Sequence, residues 1–315
     1  MIRVSAGTAA ILGLTRASPG EAPTTAYLMA GEGCRFRCAF CPQAGPGKAR
    51  LDMLSRVTWP RFPLEEVAVR LARAHSEGII RRACVQVVHG NGAWQQAKAA
   101  VELVRRYSSL PVCLSGFIAG SRQLEEVLGW GVDRVGLALD AASEEVYRRV
   151  KGGSLEHRLR RVEEAAAMAP GRVTTHLVVG LGETEEEVVR LAGRLNTAGV
   201  TVALFAFTPV KGTALEGHPP PALGSYRRVQ VACYLVQRGL APLEGFSFAN
   251  GRITGYGLEG KEMERLLKDG EAFRTSGCPA CNRPYYNERP GKEPYNYPRP
   301  LTPMEVKAAL EWLVK

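Results

Sequence analysis

The chain has 315 residues, a hydrophobic share of 45% and a formal net charge of +10 at pH 7. This length allows one large α/β barrel with an extension, or two domains. No apolar run approaches the roughly 18 to 20 residues of a transmembrane span. Eight cysteines and no clear signal peptide predict metal or redox chemistry rather than a disulfide framework. We therefore expect a cytoplasmic protein without a membrane-spanning segment.

Strand-like and helix-like segments alternate along the first 239 residues. Short β-rich runs predict strands at 24–29, 83–88, 110–117, 133–140, 172–180 and 200–207. Helical spacing of apolar residues predicts helices at 63–77, 93–107, 122–130, 144–150, 155–169, from 185 onward, and at 222–238. Ser121, Ser143 and Thr184 are predicted N-caps, and Glu187 completes a capping box with Thr184. The alternation predicts right-handed βαβ units around a parallel sheet.

Three cysteines stand close together after the first of these strands. Cys34, Cys38 and Cys41 have C-x3-C-x2-C spacing, with Phe40 directly before the third. Three thiolates on one loop can hold three irons of a [4Fe–4S] cluster, and no fourth cysteine follows to close the last iron. Zinc binding and unpaired buried thiols are the alternatives, although zinc ribbons use C-x2-C pairs and four ligands. The polar segment 45–59 is predicted to be a loop that covers the cluster.

This three-cysteine motif resembles that of the radical S-adenosylmethionine (SAM) superfamily. In that family the open iron binds SAM, and the reduced cluster cleaves it to a 5′-deoxyadenosyl radical. The resemblance implies a partial (β/α)6 TIM-like barrel over residues 24–239. Residues 1–23 then form an N-terminal extension, and residues 240–315 form a C-terminal extension that closes the barrel mouth. A doubly wound open sheet is the competing architecture.

Within the superfamily the chain most resembles the biotin synthase and lipoyl synthase branch. The run V-G-L-G-E-T is similar to that branch's turn against SAM, which implies that Gly180, Gly182 and Glu183 contact the cofactor. Asp140 ends the fourth predicted strand, and the resemblance implies that it approaches the SAM ribose. Phe40 occupies the aromatic position of the cysteine motif, and the resemblance implies that it lies beside the bound cofactor.

Two positions depart from the pattern of this branch. Ala138 stands where the branch has an asparagine, and residues 89–92 read H-G-N-G instead of a glycine-rich G-G-E element. The resemblance therefore does not identify the residues that bind the amino group of SAM. Gln86, His89 and Asn91 are the candidates.

The tail contains a second group of cysteines. Cys278 and Cys281 have C-x2-C spacing, which is half a metal site, so a zinc half-site or an inert surface pair is the alternative. Cys84 and Cys113 lie on predicted barrel strands, where biotin synthase holds cluster-ligating cysteines. The resemblance implies that these four cysteines hold an auxiliary iron–sulfur cluster. Core burial is the alternative for Cys84 and Cys113, and it is the prediction for Cys233.

The tail resembles that of the two-protein lipoyl synthases. This resemblance implies sulfur insertion into an unactivated C–H bond of a protein-bound octanoyl chain, with a [4Fe–4S] auxiliary cluster as sulfur donor. It also implies three partners: an octanoylated lipoyl carrier protein, a second radical SAM subunit, and a ferredoxin or flavodoxin. An acidic carrier would complement the positive charge. The alternatives are biotin synthase-like chemistry on a small substrate, methylthiolation or methylation of RNA, and a non-catalytic iron–sulfur scaffold. The chain shows no recognisable RNA-binding module, and its many arginines lie mainly on solvated helix faces.

Overall fold

The computed structural model describes residues 1–17, 20–45, 47–288 and 291–314. The strands of this part of the chain are β1 (Ile2–Val4), β2 (Thr25–Ala30), β3 (Met53–Leu54), β4 (Val57–Thr58), β5 (Arg61–Phe62), β6 (Arg82–Val87), β7 (Val112–Ser115), β8 (Arg134–Gly136), β9 (Val173–Val179), β10 (Thr201–Ala206), β11 (Ser247–Ala249) and β12 (Arg252–Gly255). Its α-helices are α1 (Ala6–Ile11), α2 (Leu64–Ser76), α3 (Ala93–Tyr107), α4 (Ser121–Gly129), α5 (Glu144–Val150), α6 (Leu155–Met168), α7 (Glu185–Thr197), α8 (Leu223–Gln237), α9 (Gly260–Leu267) and α10 (Pro303–Val314).

The main sheet follows the order β10-β9-β8-β7-β6-β2-β1-β5. Neighbours from β10 to β2 pair in parallel, whereas β1 pairs with β2 and β5 in antiparallel fashion. The parallel strands succeed one another in chain order, whereas a doubly wound sheet reverses its order at a switch point. The architecture is therefore a partial β/α barrel that stays open beyond β10. No helix in the described ranges combines the length and apolarity needed to cross a bilayer.

The predicted strands and helices match the structure with ends that shift by one or two residues, except at the fourth strand. We predicted this strand over 133–140, but β8 ends earlier. The Thr175 hydroxyl donates to Leu137 O at 2.7 Å and accepts from Leu139 N at 3.1 Å, so a side chain replaces part of the strand ladder. Asp140 then forms an isolated bridge to β9 with a left-handed φ of 69°.

Two of the three predicted N-caps are confirmed. The Ser143 side chain caps α5, and Thr184 forms a complete capping box with Glu187 at the start of α7. The prediction for α4 was wrong. Ser121 is already the first helical residue, and Gly120 stands at the N-cap without a side-chain hydrogen bond.

Residues 47–59, from the segment predicted to cover the cluster, pack against the barrel interior instead of forming only a polar cover. They contain the β3–β4 hairpin and end in Trp59, whose side chain is completely buried. Trp59 joins Tyr27, Met29 and Val88 in a small hydrophobic cluster beside the main core. Cysteines of both predicted metal groups pack around this cluster.

The C-terminal extension runs lengthwise along the open side of the barrel. Near the start of β2, the Thr24 hydroxyl donates to Ala280 O at 2.6 Å. At the end of β10, the Asn287 amide donates to Ala206 O at 2.8 Å. We predicted that the extension, residues 240–315, closes the barrel mouth, and this stays a prediction. The hydrogen bonds place its residues 280–287 between the start of β2 and the end of β10. β10 is an edge strand of the sheet, and edge strands present unpaired backbone groups. This segment supplies partners for them, as at the Ala206 carbonyl.

Arg227 on α8 anchors the extension to the barrel. Its side chain is completely buried and donates to Pro294 O and Tyr295 O, each at 2.6 Å. It also pairs with Glu293 at 3.3 Å, and its guanidinium lies over the ring of Phe273. A buried arginine held by this many acceptors fixes the path of the chain that follows the tail cysteines.

We predict that Arg227→Ala lowers the free energy of unfolding by about 3 kcal/mol, because buried carbonyls and a carboxylate lose their donor. Urea denaturation followed by circular dichroism measures the change. Arg160→Ala, at an exposed position of α6, is the control and should cost less than about 0.5 kcal/mol. Equal losses in the two variants would contradict the anchoring role.

Candidate metal centres

The cluster loop, residues 33–44, follows the C-terminal end of β2 and is fixed by backbone hydrogen bonds. Cys34 N donates to Gln43 O at 2.6 Å, and a loop N–H donates to His89 O at 2.9 Å. Gly90 permits this contact, because a Cβ there would lie 2.6 Å from a backbone oxygen of the loop. The H-G-N-G segment therefore supports the loop directly.

Cys34, Cys38 and Cys41 line one cavity of about 330 Å³, which we call the loop cavity. No other cysteine of the described residues lines it. Burial raises the pKa of Cys38 to about 11 and that of Cys41 to about 12. Metal binding must therefore displace thiol protons here. Three thiols without a fourth fit a [4Fe–4S] cluster that keeps one iron open.

A second cavity of about 280 Å³, the barrel cavity, adjoins the loop cavity inside the barrel. Six cysteines line it: Cys38, Cys41, Cys84, Cys113, Cys278 and Cys281. Cys84 and Cys113 are register partners on β6 and β7, whereas Cys278 and Cys281 come from the tail. The structure thus brings together all four cysteines predicted for the auxiliary site. Four thiols are the usual ligand set of a closed iron–sulfur cluster.

The four-cysteine group contains one acidic thiol. A hydrogen bond from the Cys113 thiol lowers the pKa of Cys278 to about 6; burial opposes the shift, and Arg82 and Arg134 reinforce it. The same hydrogen bond raises the pKa of Cys113. The lowered pKa favours the thiolate of Cys278, which is the form that binds metal.

Arg283 places a positive charge beside this group. Its Nη1 lies 3.7 Å from Cys281 Sγ, and its Nη2 donates to Leu204 O at 3.2 Å. The guanidinium stacks 4.1 Å from the ring centre of Phe205. Within the described ranges, no carboxylate lies at ion-pair distance from Arg283. An inward cation without an acidic partner fits a site that carries the negative charge of several thiolates.

Within those same ranges, no three His, Cys, Asp or Glu side chains converge on a point where they could bind one metal ion. Such convergence is needed to bind a single metal ion, whereas the cysteine ligands of a cluster bind separate irons.

Asp140 stands in the wall shared by the loop and barrel cavities. Its carboxylate pairs with the Lys151 ammonium on one oxygen and with His176 Nε2 at 2.7 Å on the other. Burial alone would raise the pKa of Asp140, but Lys151 and His176 hold it well below its usual range. Both oxygens that the resemblance assigned to the SAM ribose therefore already have protein partners.

Lys151 and His176 are the residues that the sequence analysis missed. His176 faces inward from β9 and contacts the ring of Phe205. Lys151 follows α5 and also donates to Ala138 O at 3.1 Å. A cation at the C-cap of a helix is a weak signal in sequence, and only the fold brings it to Asp140.

The predicted SAM-contacting turn supports the fold near the cavities without lining them. Glu183 accepts from Gly180 N at 2.6 Å and from Leu181 N at 3.2 Å, so it stabilises the turn. Gly180 and Gly182 have left-handed φ angles of 100° and 121°. Neither glycine nor Glu183 lines the loop or barrel cavity.

The remaining candidate site residues differ in which of the two cavities they line. Phe40 lines the barrel cavity, Gln86 lines both cavities and His89 lines the loop cavity. Asn91 lines neither, and its side chain accepts a hydrogen bond from an exposed arginine. Cys233 is buried in the core, as predicted, where burial raises its pKa to about 12.

A partial β/α barrel with a three-thiol loop after its first parallel strand defines a class of iron–sulfur enzymes. The sequence pattern of the radical SAM superfamily matches residues 28–195, and the chain belongs to this superfamily. Membership implies a [4Fe–4S] cluster and SAM, and the three thiols of the loop cavity are the residues that fit this cluster. The [FeFe]-hydrogenase maturase HydG (TM-score 0.54, 12% identity, 68% of this chain and 50% of that one) has a similar fold. Methylornithine synthase (TM-score 0.51, 16% identity, 68% and 62%) does as well.

Several sequence relatives are distant. An uncharacterised protein of Methanocaldococcus jannaschii is 27% identical over 58% of this chain and 48% of its own length. The biotin synthase of Desulforudis audaxviator is 29% identical over 70% of this chain and 65% of its own length. The lipoyl synthase of Nocardia farcinica is 28% identical over 80% of this chain and 73% of its own length. The chain thus spans about half to three quarters of these relatives. It is a radical SAM enzyme distantly related to sulfur-inserting enzymes.

We predict that Lys151→Met lowers the free energy of unfolding by about 3 kcal/mol at pH 7, because the buried Asp140 carboxylate loses its main cation. Urea titration measures this loss. The folded-state pKa of Asp140 lies below its unfolded value, so the stabilisation is present above about pH 4 and disappears as pH falls. The deficit of the variant should therefore shrink below about pH 4.

The control is Lys98→Met, which removes an exposed lysine paired with Glu102 at 3.9 Å. It should cost less than about 1 kcal/mol. A Lys151→Met deficit that does not change between pH 7 and pH 3 would contradict the charge-pairing account.

Proposed function

We propose that this protein inserts sulfur into an unactivated C–H bond of a protein-bound octanoyl chain, as in lipoyl cofactor biosynthesis. One observation carries the proposal. The cavity that reaches Cys38 and Cys41 of the cluster loop also contains the four further thiols Cys84, Cys113, Cys278 and Cys281. The cysteines that would hold the radical-generating cluster and those that would hold the sulfur-donating cluster thus line one cavity.

The walls of the barrel cavity suit an alkyl chain. Val178, Ala203, Phe205 and Phe207 line it from β9, β10 and the residue after β10. Tyr286 of the tail also lines the cavity, with its ring centre 5.5 Å from that of Phe205. Apolar walls favour a hydrocarbon by burying its surface from water. A chain lying along this cavity would extend from the cluster loop toward the four cysteines.

The two clusters would supply the radical chemistry and the sulfur, and the protein supplies binding, orientation and exclusion of water. The cluster loop positions three thiols at the C-terminal end of the barrel. The tail positions Cys278 and Cys281 opposite the strand cysteines. Arg283 compensates negative charge at that end, and Asp140 holds Lys151 and His176 in the wall between the two cavities.

The proposed partners follow from this reaction. The octanoyl chain would be carried on a lysine of a lipoyl carrier protein, and an acidic carrier would complement the net charge of +10. A ferredoxin or flavodoxin would supply electrons. A second radical SAM subunit would complete the reaction.

Biotin synthase-like sulfur insertion into a small free substrate is the second candidate. It is favoured by the similarity to the Desulforudis audaxviator biotin synthase and by Cys84 and Cys113 on the barrel strands. In that case the barrel cavity would accept a free molecule, and no carrier would be needed.

We predict that Cys278→Ala/Cys281→Ala lowers the iron content from about eight to about four atoms per chain. The variant should keep reductive cleavage of SAM and lose sulfur insertion. Cys34→Ala should lose SAM cleavage. Iron analysis, 5′-deoxyadenosine formation and mass spectrometry of the acyl chain measure the three properties.

Cys233→Ala is the matched control, because Cys233 lies on α8 outside the loop and barrel cavities. It should retain both clusters and both activities. About eight irons together with intact sulfur insertion in the double variant would rule out the four-cysteine site.

We predict that mass spectrometry of an octanoylated carrier after turnover detects added sulfur on the acyl chain. An unacylated carrier and free octanoate are the controls and should remain unmodified. Sulfur on a small free substrate, with an unchanged carrier, would favour the biotin synthase-like candidate. Addition of one sulfur atom rather than two to the acyl chain would indicate that a second subunit inserts the other.

A further inference from the structure

A third cavity, the outer cavity, lies beyond the Cys278–Cys281 turn. Its volume is about 430 Å³, and its walls come mainly from the end of α8 and the segment 271–282. Cys278 and Cys281 line both the outer cavity and the barrel cavity. The two tail thiols therefore form part of the partition between the barrel interior and this second space.

The walls of the outer cavity carry excess positive charge. Arg81, Arg238 and Arg274 line it. Glu271 also lines it, but its carboxylate already binds Arg274 at 2.6 Å. Arg81 and Arg238 have no ion-pair partner among the residues that the structure describes. A concave site with one sign of charge concentrates ions of the opposite sign.

Two nitrogens of nearby side chains, Gln237 Nε2 and Arg274 Nε, have no hydrogen-bond partner in the described residues, but both are closed off from the cavity. An anion in the cavity would therefore be bound by the exposed guanidinium groups of Arg81 and Arg238.

We propose that the outer cavity is the entry site through which a preassembled, thiolate-ligated [4Fe–4S] cluster reaches the four-cysteine site. Such a cluster is an anion and carries many sulfur acceptors. The inference rests on the proposed function, because a cluster that donates its sulfur must be replaced before the next turnover. The barrel cavity is a poor route, since its apolar walls would hold the acyl chain.

Entry is a ligand exchange without electron transfer. Each bond between a cluster iron and an external thiolate breaks as a bond to a protein thiolate forms. The cysteine protons leave on the external thiols. Cys278 and Cys281 exchange first because they face the outer cavity, and Cys84 and Cys113 follow from the inner side.

The test uses a synthetic [4Fe–4S] cluster ligated by 2-mercaptoethanol, mixed anaerobically with iron-free full-length protein. Visible circular dichroism follows uptake, because the free cluster is achiral. One background, Cys34→Ala/Cys38→Ala/Cys41→Ala, leaves the four-cysteine site. The other, Cys278→Ala/Cys281→Ala, leaves the cluster loop.

Each background carries either Arg81→Gln/Arg238→Gln or the control pair Arg122→Gln/Arg160→Gln. The control arginines are exposed and line none of the three cavities. We expect the Arg81/Arg238 pair to slow uptake about tenfold at low salt in the four-cysteine background alone. The difference should shrink in 0.5 M KCl, where the screening length falls to about 4 Å. The control pair should change neither rate.

Unchanged uptake in the four-cysteine background, or equal slowing in both backgrounds, would overturn the entry-site inference. A four-cysteine background that binds no cluster with its arginines intact would instead contradict the proposed function. The two failures are therefore distinguishable.

Discussion

The contact between the tail and the two exposed sides of the barrel is the constraint on which the rest of the site depends. The hydroxyl of Thr24 before β2 and the carbonyl of Ala206 on β10 both bind the tail, through Ala280 and Asn287. These contacts hold the segment between them in the lateral gap. Cys278 and Cys281 lie in that segment and therefore face the strand cysteines. Without this docking the barrel would present two isolated thiols and an open side.

Two cations lie at different ends of the barrel interior, and the docked tail supplies one of them. Arg283 brings a cation to the four-cysteine end, and Lys151 brings another to the loop cavity. Lys151 is neutralised by Asp140, whereas Arg283 has no carboxylate partner in the described part of the chain. It contacts the Cys281 thiol, the Leu204 carbonyl and the ring of Phe205. Apolar side chains of β9 and β10 line the space between these two ends. A radical intermediate needs such a shielded space, because water and polar hydrogens offer side reactions.

Much of this arrangement could be predicted from sequence, because local patterns determine it. Apolar periodicity placed the strands and helices, and the cysteine spacing in the loop indicated its chemistry without any tertiary information. The grouping of Cys84 with Cys278 was reached by resemblance, since nearly two hundred residues separate them. The contacts of the tail with Thr24 and Ala206 were not predicted, because no local pattern in the sequence indicates them. The contacts of Lys151 and His176 with Asp140 were not predicted, since only the folded barrel brings these residues together.

We propose that one barrel holds two iron–sulfur clusters, of which only the loop cluster has an open iron. Mössbauer spectroscopy of anaerobically prepared, iron-57-enriched protein, with and without SAM, tests it most directly. The account predicts about eight irons per chain in two [4Fe–4S] clusters, with a SAM-dependent change at about one iron in eight. A single cluster, or two clusters whose spectra do not change when SAM is added, would contradict this proposal.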